Sequence, residues 1–405
     1  MTLLCVLMIL FLPTTLIAAD DSAKAANEML AALKMNDESL ICDAMERLGE
    51  HDNAKSAGLL IERGMTHPSL MVHEEALRLA RKLKSEDAKD RIVQIIRRSR
   101  KFESRMDGMR VIKSWPHNDS RPELIGRLED KTDWVVSLAI QFLRDHPHPE
   151  TVSALVEKLP KTNGRQSEEI VDLLKVLTGE NYPADTAGWK IWWEQNRDSW
   201  SPVESSTEDD GGEKKDVSTA VRDGLYGEIA SERVVFLLDV SGSMLASTAV
   251  DDSRIGIAKN QLKRVLQGGL TTKSKFTIVA FADDLTVLSP KLVKAKGGSL
   301  RKALDFVDRL EAGGETNSYG ALQKAFADRE VDTIYLLSDG SPTAGEETSL
   351  KLIADAVSQW NRYRGVRIHC IGFFAGTAPN QDEATASEFL RTLSRLNFGK
   401  YLEIR

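Results

Sequence analysis

Two different hydrophobic patterns divide the chain. Between residues 22 and 180, apolar positions recur at i, i+1 and i+4 in a segment rich in Ala, Leu, Glu, Lys and Arg. This spacing places the apolar side chains on one face of an α-helix. The pattern therefore predicts amphipathic helices throughout the first half of the chain.

The predicted helices repeat with a period of about 32 residues, and a fixed period indicates a repeat architecture. Small or apolar residues occupy equivalent positions in each of four units. The columns are Ala44, Ala76, Gly108 and Ala139; Met45, Leu77, Met109 and Ile140; Leu48, Ala80, Ile112 and Leu143; Leu60, Ile92, Leu124 and Leu155; and Gly64, Ile96, Leu128 and Leu159. Helical pairs of this kind stack, because a single pair cannot bury its apolar face. Residues 20–200 are thus predicted to form an all-α solenoid whose units resemble short HEAT-like repeats, with an ordinary helical bundle as the alternative.

A tryptophan-rich helix is predicted at the end of this region, within residues 185–200. Trp189, Trp192 and Trp193 lie at i, i+3 and i+4, so they share one helix face. We expect these side chains to cover the open end of the solenoid. Stacking on a sugar and an interface with the second domain are the alternatives.

An acidic linker is predicted after this helix. Residues 201–218 read SPVESSTEDDGGEKKDVS and contain two Val as their sizeable apolar residues. Such a segment cannot bury enough surface to offset the entropy lost on ordering. Residues 201–230 are therefore predicted to be a flexible tether between two domains.

After residue 230 the pattern changes to short apolar runs separated by helical stretches. The runs at 234–238, 276–281, 333–337 and 366–374 are typical of strands covered on both faces. Helices are predicted at 255–266, 300–310, 319–326, 350–362 and 384–396. This alternation predicts a doubly wound, Rossmann-like α/β domain over residues 231–405, with a mostly parallel sheet between two layers of helices.

Composition removes several classes of protein. The 405 residues contain 54 Lys and Arg against 61 Asp and Glu, a net charge of -7, whereas nucleic-acid-binding proteins usually carry a basic excess. Cys5, Cys42 and Cys370 are too few and too far apart for a disulfide scaffold or a cysteine zinc site. Because the chain lacks a basic excess, we expect no nucleic-acid partner.

The N-terminus has the pattern of a secretory signal. Residues 3–12 are uniformly apolar, and the small residues Ala18 and Ala19 precede Asp20. We predict a signal peptide over residues 1–19, cleaved after Ala19, and a secreted or periplasmic protein. The alternative is an uncleaved N-terminal anchor, and we expect membrane association in that case alone.

Side chains that carry oxygen atoms occur in three separate segments of the predicted α/β domain. Asp239, Ser241 and Ser243 form a D-x-S-x-S motif directly after the first apolar run, Thr316 lies in a Gly-rich loop, and Asp339 ends another strand. In open parallel sheets, ligands bind beyond the carboxyl ends of the strands. Hydroxyl and carboxylate oxygens without His or Cys suit Mg²⁺, with Mn²⁺ or Ca²⁺ as alternatives.

These motifs carry a family resemblance. Residues 231–405 resemble a von Willebrand factor type A (vWA) domain, and the three loops resemble its metal-ion-dependent adhesion site (MIDAS). The resemblance implies that Ser241, Ser243 and Thr316 coordinate the cation through their hydroxyls, whereas Asp239 and Asp339 act largely through water. Glu315 departs from the family pattern, which usually has Gly directly before the Thr, so the match to the pattern is weakest at Thr316.

The expected function is protein binding or cell adhesion. Neutral hydroxyl ligands leave most of the cation's charge uncompensated, so the ion attracts an anionic oxygen such as an exposed Asp or Glu of a partner protein. Two alternatives remain: a structural scaffold, and a regulatory subunit of a chelatase- or ATPase-like assembly, with the metal in a structural role. The sequence specifies neither the partner nor the oligomeric state.

We do not expect an enzyme. The sequence contains no G-x-S-x-G nucleophile motif, no G-x-x-x-x-G-K-[ST] phosphate loop and no G-x-G-x-x-G dinucleotide motif. A phosphatase of the haloacid dehalogenase type would need D-x-D, and Ser241 stands in the place of the second Asp.

Overall fold

The structure is a computed structural model that describes residues 14–183, 186–202, 212–248, 252–374 and 381–405. The chain divides into two compact units, Met1–His146 and Pro147–Arg405. The sequence placed its domain boundary later, at residues 201–230. The helices between residues 147 and 200 are instead grouped with the sheet that follows them.

Helices form the described part of the first unit. They are α1 (Thr14–Met35), α2 (Glu38–Gly49), α3 (Ala54–Leu59) with a π-helical turn (Leu60–Met65), α4 (Leu70–Ala80), α5 (Glu86–Arg98), α6 (Phe102–Ile112), α7 (His117–Arg127) and α8 (Asp133–Leu143). Asn53, Ser69 and Ser85 precede α3, α4 and α5, and their side chains accept hydrogen bonds from backbone N–H groups of the first turn. The predicted all-helical N-terminal region is confirmed.

In the first unit, each helix from α2 to α6 packs on the second helix after it along the chain. Helix α2 packs on α4, α4 on α6 and α6 on α8, while α3 packs on α5 and α5 on α7. The repeat columns are buried throughout, and two of their positions are glycines at close helix contacts. A Cβ at Gly64 would lie 2.7 Å from Ala76 Cβ, and one at Gly108 would lie 2.6 Å from Ile96 Cγ1. This packing agrees with a solenoid, and the likeness to HEAT repeats stays a prediction.

The predicted signal peptide lies partly outside the described residues. Residues 1–13 are not among them, and helix α1 begins at Thr14 and continues through the predicted cleavage point after Ala19. Within the described residues, no helix combines the length and the apolar character that crossing a bilayer requires. Signal cleavage and export therefore stay predictions.

The second unit alternates helices and strands. Its helices are α9 (Pro149–Lys158), α10 (Gly164–Thr178), α11 (Thr186–Asn196), α12 (Val217–Asp223), α13 (Arg254–Arg264), α14 (Gly297–Asp308), α15 (Ser318–Ala327), α16 (Leu350–Asn361) and α17 (Gln381–Leu396). Its strands are β1 (Glu213–Lys215), β2 (Arg233–Asp239), β3 (Lys275–Phe281), β4 (Leu285–Val287), β5 (Val293–Lys294), β6 (Thr333–Ser338), β7 (Arg367–Phe373) and β8 (Tyr401–Ile404).

The strands form one mostly parallel sheet. Their order is β1-β8-β7-β6-β2-β3-β4, and β5 also pairs with β3. All pairs from β1 to β3 are parallel, whereas β4 and β5 run antiparallel to β3. The predicted doubly wound α/β fold is confirmed. The four predicted strands are β2, β3, β6 and β7 in the middle of the sheet, and the short peripheral strands β1, β4, β5 and β8 were not predicted.

The central strands are apolar on both sides because helices cover both faces of the sheet. In β2, Phe236 belongs to an apolar cluster on one face, together with residues of α12 and α13. Its neighbour Leu237 belongs to a second cluster on the other face, together with residues of α15, α16 and α17. Successive side chains of a strand point to opposite faces, so a continuous apolar run supplies both cores.

Part of the predicted linker belongs to the folded second unit. Residues 203–211 lie outside the described residues, but residues 212–230 belong to the folded unit. Strand β1 pairs in parallel with β8, with Lys214 opposite Glu403. Val217, Ala220 and Tyr226 are buried in the core beneath the sheet. The prediction of a flexible tether over 201–230 was wrong for this part, because apolar residues after Asp216 anchor the polar segment that precedes them.

Helix α11 confirms the prediction of a tryptophan-rich helix. Trp189 is fully buried, and its indole N–H donates to Pro183 O at 3.1 Å. The Trp193 indole N–H donates to Ser153 Oγ of α9 at 2.9 Å. Trp189 and Trp193 are therefore packing residues, and Trp193 joins α11 to α9. That these side chains cover the end of a solenoid stays a prediction.

Helix α10 lies against the amino ends of two strands. Arg367, the first residue of β7, donates to Glu168 Oε2 at 3.0 Å and to Asp172 Oδ2 at 3.3 Å. Arg165 Nη1 donates to the backbone oxygen of Asp332, just before β6, at 2.8 Å. These contacts explain why the helices after residue 147 are grouped with the sheet.

Candidate metal site

The candidate ligands are brought together by the pairing of two central strands. Asp239 is the last residue of β2, and Asp339 follows β6 directly. Strands β2 and β6 are parallel neighbours, with Leu238 opposite Leu337. Their carboxyl ends therefore meet at the same edge of the sheet, and both carboxyl groups lie there.

A continuous series of hydrogen bonds connects four of the five predicted residues. The backbone N–H of Ser241 donates to Asp239 Oδ1 at 2.8 Å, and Ser241 Oγ lies 3.0 Å from Ser243 Oγ. Ser243 Oγ donates to Asp339 Oδ1 at 2.7 Å. Ser338, which was not predicted, donates its hydroxyl to Asp239 Oδ2 at 2.5 Å. The structure thus places both carboxylates and both serine hydroxyls in one network.

The loop of Thr316 is attached to both of the other loops through its backbone. The N–H of Gly242 donates to Gly314 O at 3.0 Å. The N–H of Thr316 donates to Thr343 Oγ1 at 2.9 Å, and Thr316 O accepts from the N–H groups of Thr343 and Ala344. Thr316 is buried, and its loop contacts both the loop after β2 and the loop after β6. The role of the Thr316 hydroxyl as a ligand stays a prediction.

Asp283 explains how the loop accommodates Glu315. Asp283 Oδ1 accepts a hydrogen bond from the Glu315 N–H at 3.0 Å, while Glu315 itself is exposed. The preceding Gly314 has φ +80°, and a Cβ there would lie 2.1 Å from Asp283 Oδ2. Gly314 thus has the conformation that its close contact with Asp283 requires, and its carbonyl oxygen accepts from the Gly242 N–H at 3.0 Å.

Comparison with known proteins shows which protein family the residues around the candidate site resemble. The family description "von Willebrand factor type A domain" matches residues 232–401. These residues form a vWA domain. The assignment covers strands β2 to β7, helices α13 to α17 and all three loops of the candidate site.

Known relatives share the vWA domain with this chain at low identity. "von Willebrand factor A domain-containing protein 3B" from Homo sapiens is 28% identical over 177 residues, 44% of this chain and 12% of that protein. "Inter-alpha-trypsin inhibitor heavy chain H4" from Homo sapiens is 29% identical over 157 residues, 35% of this chain and 16% of that protein. The solved "von Willebrand factor type A from Catenulispora acidiphila" is 23% identical, with a TM-score of 0.35, over 43% of this chain and 39% of that one. The chain therefore spans less than a fifth of these two human relatives.

Burial has the largest effect on the pKa of Asp239 in the candidate site. Asp239 is fully buried, and this burial raises its pKa to about 6, with a smaller increase from the neighbouring Asp339 carboxylate. Hydrogen bonds from Ser241 and Ser338 act in the opposite direction because they favour the charged form. A positive charge near Asp239 would therefore stabilise its ionised state.

The sequence did not predict that a positively charged side chain, Arg254, is buried beside the candidate ligands. Arg254, the first residue of α13, donates from Nη1 to Asp339 Oδ2 at 2.7 Å and from Nη2 to Glu383 Oε1 at 3.4 Å. Both Arg254 and Asp339 are buried. The only sequence signal is a basic residue shortly after the D-x-S-x-S motif, and that signal alone does not identify its partner.

The donor set of the vWA site fits a hard divalent cation. Among the described residues, no group of three or more His, Cys, Asp or Glu side chains is placed to hold a metal. A cation at Asp239 and Asp339 would therefore depend on hydroxyl oxygens as well, and Ser241 and Ser243 lie between the two carboxylates in the hydrogen-bond network. Carboxylate and hydroxyl oxygens are ligands that Mg²⁺ and Ca²⁺ accept.

Proposed function

We propose that the vWA domain binds a partner protein through a divalent cation held by Asp239, Ser241, Ser243, Thr316 and Asp339. The observation that carries the proposal is the hydrogen-bond network that joins the first three residues to Asp339 across two parallel strands. Mg²⁺ is the expected ion, with Mn²⁺ or Ca²⁺ as alternatives. The partner would contribute an exposed Asp or Glu.

The residues of this chain divide the work between charge and orientation. When bound, the cation would supply a coordination position that takes an anionic oxygen. Asp239 is held by two hydrogen bonds, from the Ser241 N–H and the Ser338 hydroxyl, so its carboxylate has little freedom to turn. The serine hydroxyls add oxygen donors without adding negative charge, which leaves the ion attractive to an acidic side chain.

The remaining parts of the proposal concern the whole chain. Residues 1–19 would direct export, to the outside of the cell or to the periplasm. The HEAT-like helices of residues 20–200 would offer a second binding surface. The protein would act by binding and would not be an enzyme.

A scaffold function is the second candidate, and one contact favours it. The ion pair between Arg254 and Asp339 already balances one carboxylate of the site. In this alternative the vWA domain assembles a complex through surface contacts, and capture of a partner does not depend on a cation.

Cation titration of the full chain tests the proposal. We expect isothermal titration with MgCl₂ to detect one site in the wild type and none in Asp239→Ala. Asp305→Ala, at an exposed position on α14, is the matched control and should bind like the wild type. Circular dichroism would check that each variant is folded. A wild-type chain that binds neither Mg²⁺, Mn²⁺ nor Ca²⁺ would contradict the proposal.

Capture of partners distinguishes the two candidates. The immobilised full chain would be incubated with extracellular or periplasmic proteins in the presence of Mg²⁺ and then washed with EDTA. Cation bridging predicts that bound proteins elute with EDTA and do not bind to Asp239→Ala. Equal retention in EDTA and on the variant would favour the scaffold.

A further inference from the structure

Arg254 occupies one side of the carboxylate that the candidate site needs. The two oxygens of Asp339 are both engaged: Oδ1 accepts from the Ser243 hydroxyl at 2.7 Å, and Oδ2 accepts from Arg254 Nη1 at 2.7 Å. The Arg254 side chain is 8% exposed and the Asp339 side chain is 0% exposed. Because water is excluded, this ion pair is screened far less than one on the surface.

Glu383 provides Arg254 with a second anionic partner from a different element. Arg254 lies at the start of α13, and Glu383 lies in the first turn of α17. Arg254 Nη2 donates to Glu383 Oε1 at 3.4 Å, and the Glu383 side chain is 13% exposed. The guanidinium is therefore shared between the candidate site and the beginning of α17.

The charge of the candidate site follows from this arrangement. The site contains two carboxyl groups, on Asp239 and Asp339, and the Arg254 guanidinium lies against Asp339 at 2.7 Å. A divalent cation and a guanidinium both seek the same carboxylate, and their like charges repel each other. Glu383 weakens the competition of Arg254 for Asp339, because it draws the guanidinium away from that carboxylate.

We propose that Arg254 is a built-in counter-ion that competes with the divalent cation for Asp339 and so lowers the cation affinity of the site. The inference rests on the proposed function, because it requires that the site bind a cation. In the metal-free chain, Arg254 stabilises the buried carboxylate. Glu383 tunes the competition by sharing the guanidinium.

Three variants with different expected signs test the inference in the full chain. Arg254→Gln removes the charge and keeps a hydrogen-bond donor, so Mg²⁺ affinity by isothermal titration should rise by about tenfold. Glu383→Gln removes the negative charge that draws the guanidinium away from Asp339, so affinity should fall. Arg264→Gln, an exposed position at the other end of α13, is the matched control and should leave affinity unchanged.

Thermal unfolding in EDTA supplies a readout that does not depend on cation binding. Metal-free Arg254→Gln should unfold at a lower temperature than the wild type, because Asp339 loses its counter-ion while it stays buried. Saturating Mg²⁺ should raise the unfolding temperature of Arg254→Gln more than that of the wild type. The same comparison for Arg264→Gln should show no such difference.

The outcomes separate this inference from the proposed function. If neither the wild type nor Arg254→Gln binds a divalent cation, the proposed function fails and the inference fails with it. If the wild type binds Mg²⁺ and Arg254→Gln binds it equally or more weakly, the proposed function stands and the competition is refuted. Equal affinities of the wild type and Glu383→Gln would refute the tuning role of Glu383.

Discussion

Ser241 and Ser243 carry different parts of the candidate site although they are two positions apart. The backbone of Ser241 holds Asp239, whereas the hydroxyl of Ser243 holds Asp339. Their two hydroxyl oxygens lie 3.0 Å from each other and so link the Asp239 side of the site to the Asp339 side. Loss of one hydroxyl therefore removes an oxygen donor without moving the carboxylate that the backbone orients.

Substitution of Ser241 by alanine should cost more cation affinity than substitution of Glu315 by glycine. Ser241→Ala should weaken Mg²⁺ binding by about tenfold or more, since even residues that only support metal ligands contribute that much. Glu315→Gly should change affinity less, because the exposed Glu315 is held through its backbone N–H. Isothermal titration of both variants checks the order. The reverse order would contradict the assignment of the ligands.

A buried histidine in the first unit should make stability depend on pH. Burial, with a contribution from the neighbouring His117, lowers the pKa of His146 to about 4, and the two rings are 4.4 Å apart. In the unfolded chain the pKa of His is about 6.5, so the unfolded state binds more protons between these values. Stability is therefore lost as the pH falls from about 6.5 towards 4.

His146→Gln tests this pH dependence. The variant should lose less stability than the wild type over the same interval, as measured by urea unfolding of the full chain at several pH values. His51→Gln, at a partly exposed position of the same unit, is the control and should follow the wild type. Equal slopes for the wild type and His146→Gln would show that His146 does not carry the effect.

Helix contacts in the first unit are set by the size of one repeated position. Ala44, Ala76 and Ala139 occupy the small-residue column on α2, α4 and α8, and all three are buried. On α6 the same column has Gly108, where a Cβ would lie 2.6 Å from Ile96 Cγ1 of α5. Helix α6 thus approaches its neighbour more closely than an alanine side chain permits.

Gly108→Ala should therefore destabilise the protein even though alanine favours helix. Overpacking in a core costs about 1–3 kcal/mol, and the gain in helix propensity returns about 1 kcal/mol or less. Gly126→Ala on α7 is the matched control, because no atom lies within 4 Å of a Cβ at that position. This control should be neutral or stabilising by up to about 1 kcal/mol. Urea unfolding measures both, and equal effects would contradict the close approach.

The second unit combines helices and sheet into one folded body. Helix α10 presents Glu168 and Asp172 to Arg367, which is buried at the beginning of β7. Lys400, just before β8, contacts the same two acids. A buried guanidinium requires anionic partners, so β7 depends on a helix whose Glu168 lies 199 residues before Arg367.

Removal of both acids should destabilise the full chain. The double variant Glu168→Gln and Asp172→Asn leaves the Arg367 charge buried without its partners, and we expect a loss of about 2 kcal/mol or more. Asp355→Asn breaks the exposed pair with Lys351 on α16 and should cost about 0.5 kcal/mol or less. Chemical unfolding compares the two. A double variant as stable as the control would show that α10 contributes little to this unit.

Local patterns in the sequence accounted for much of the architecture. The long apolar runs became β2, β3, β6 and β7, and the repeat columns of the first half became buried helix positions. Hydrophobic periodicity reports on burial of one element at a time, so long elements with strong patterns were predicted well. Strands β1, β4, β5 and β8 have two to four residues each and were missed, because so short a segment has no period of its own.

The candidate site followed from the order of its motifs along the chain, since strand ends in a parallel sheet meet at one edge and each motif follows a strand or enters a helix. Two features depended on the tertiary structure instead. Arg254 and Asp339 are 85 residues apart, and Arg367 and Glu168 are 199 residues apart. No local pattern records which distant charges become neighbours. Packing of the elements decides that, and in this protein it placed a positive charge beside the predicted ligands and attached helix α10, which the sequence assigned to the first domain, to the sheet.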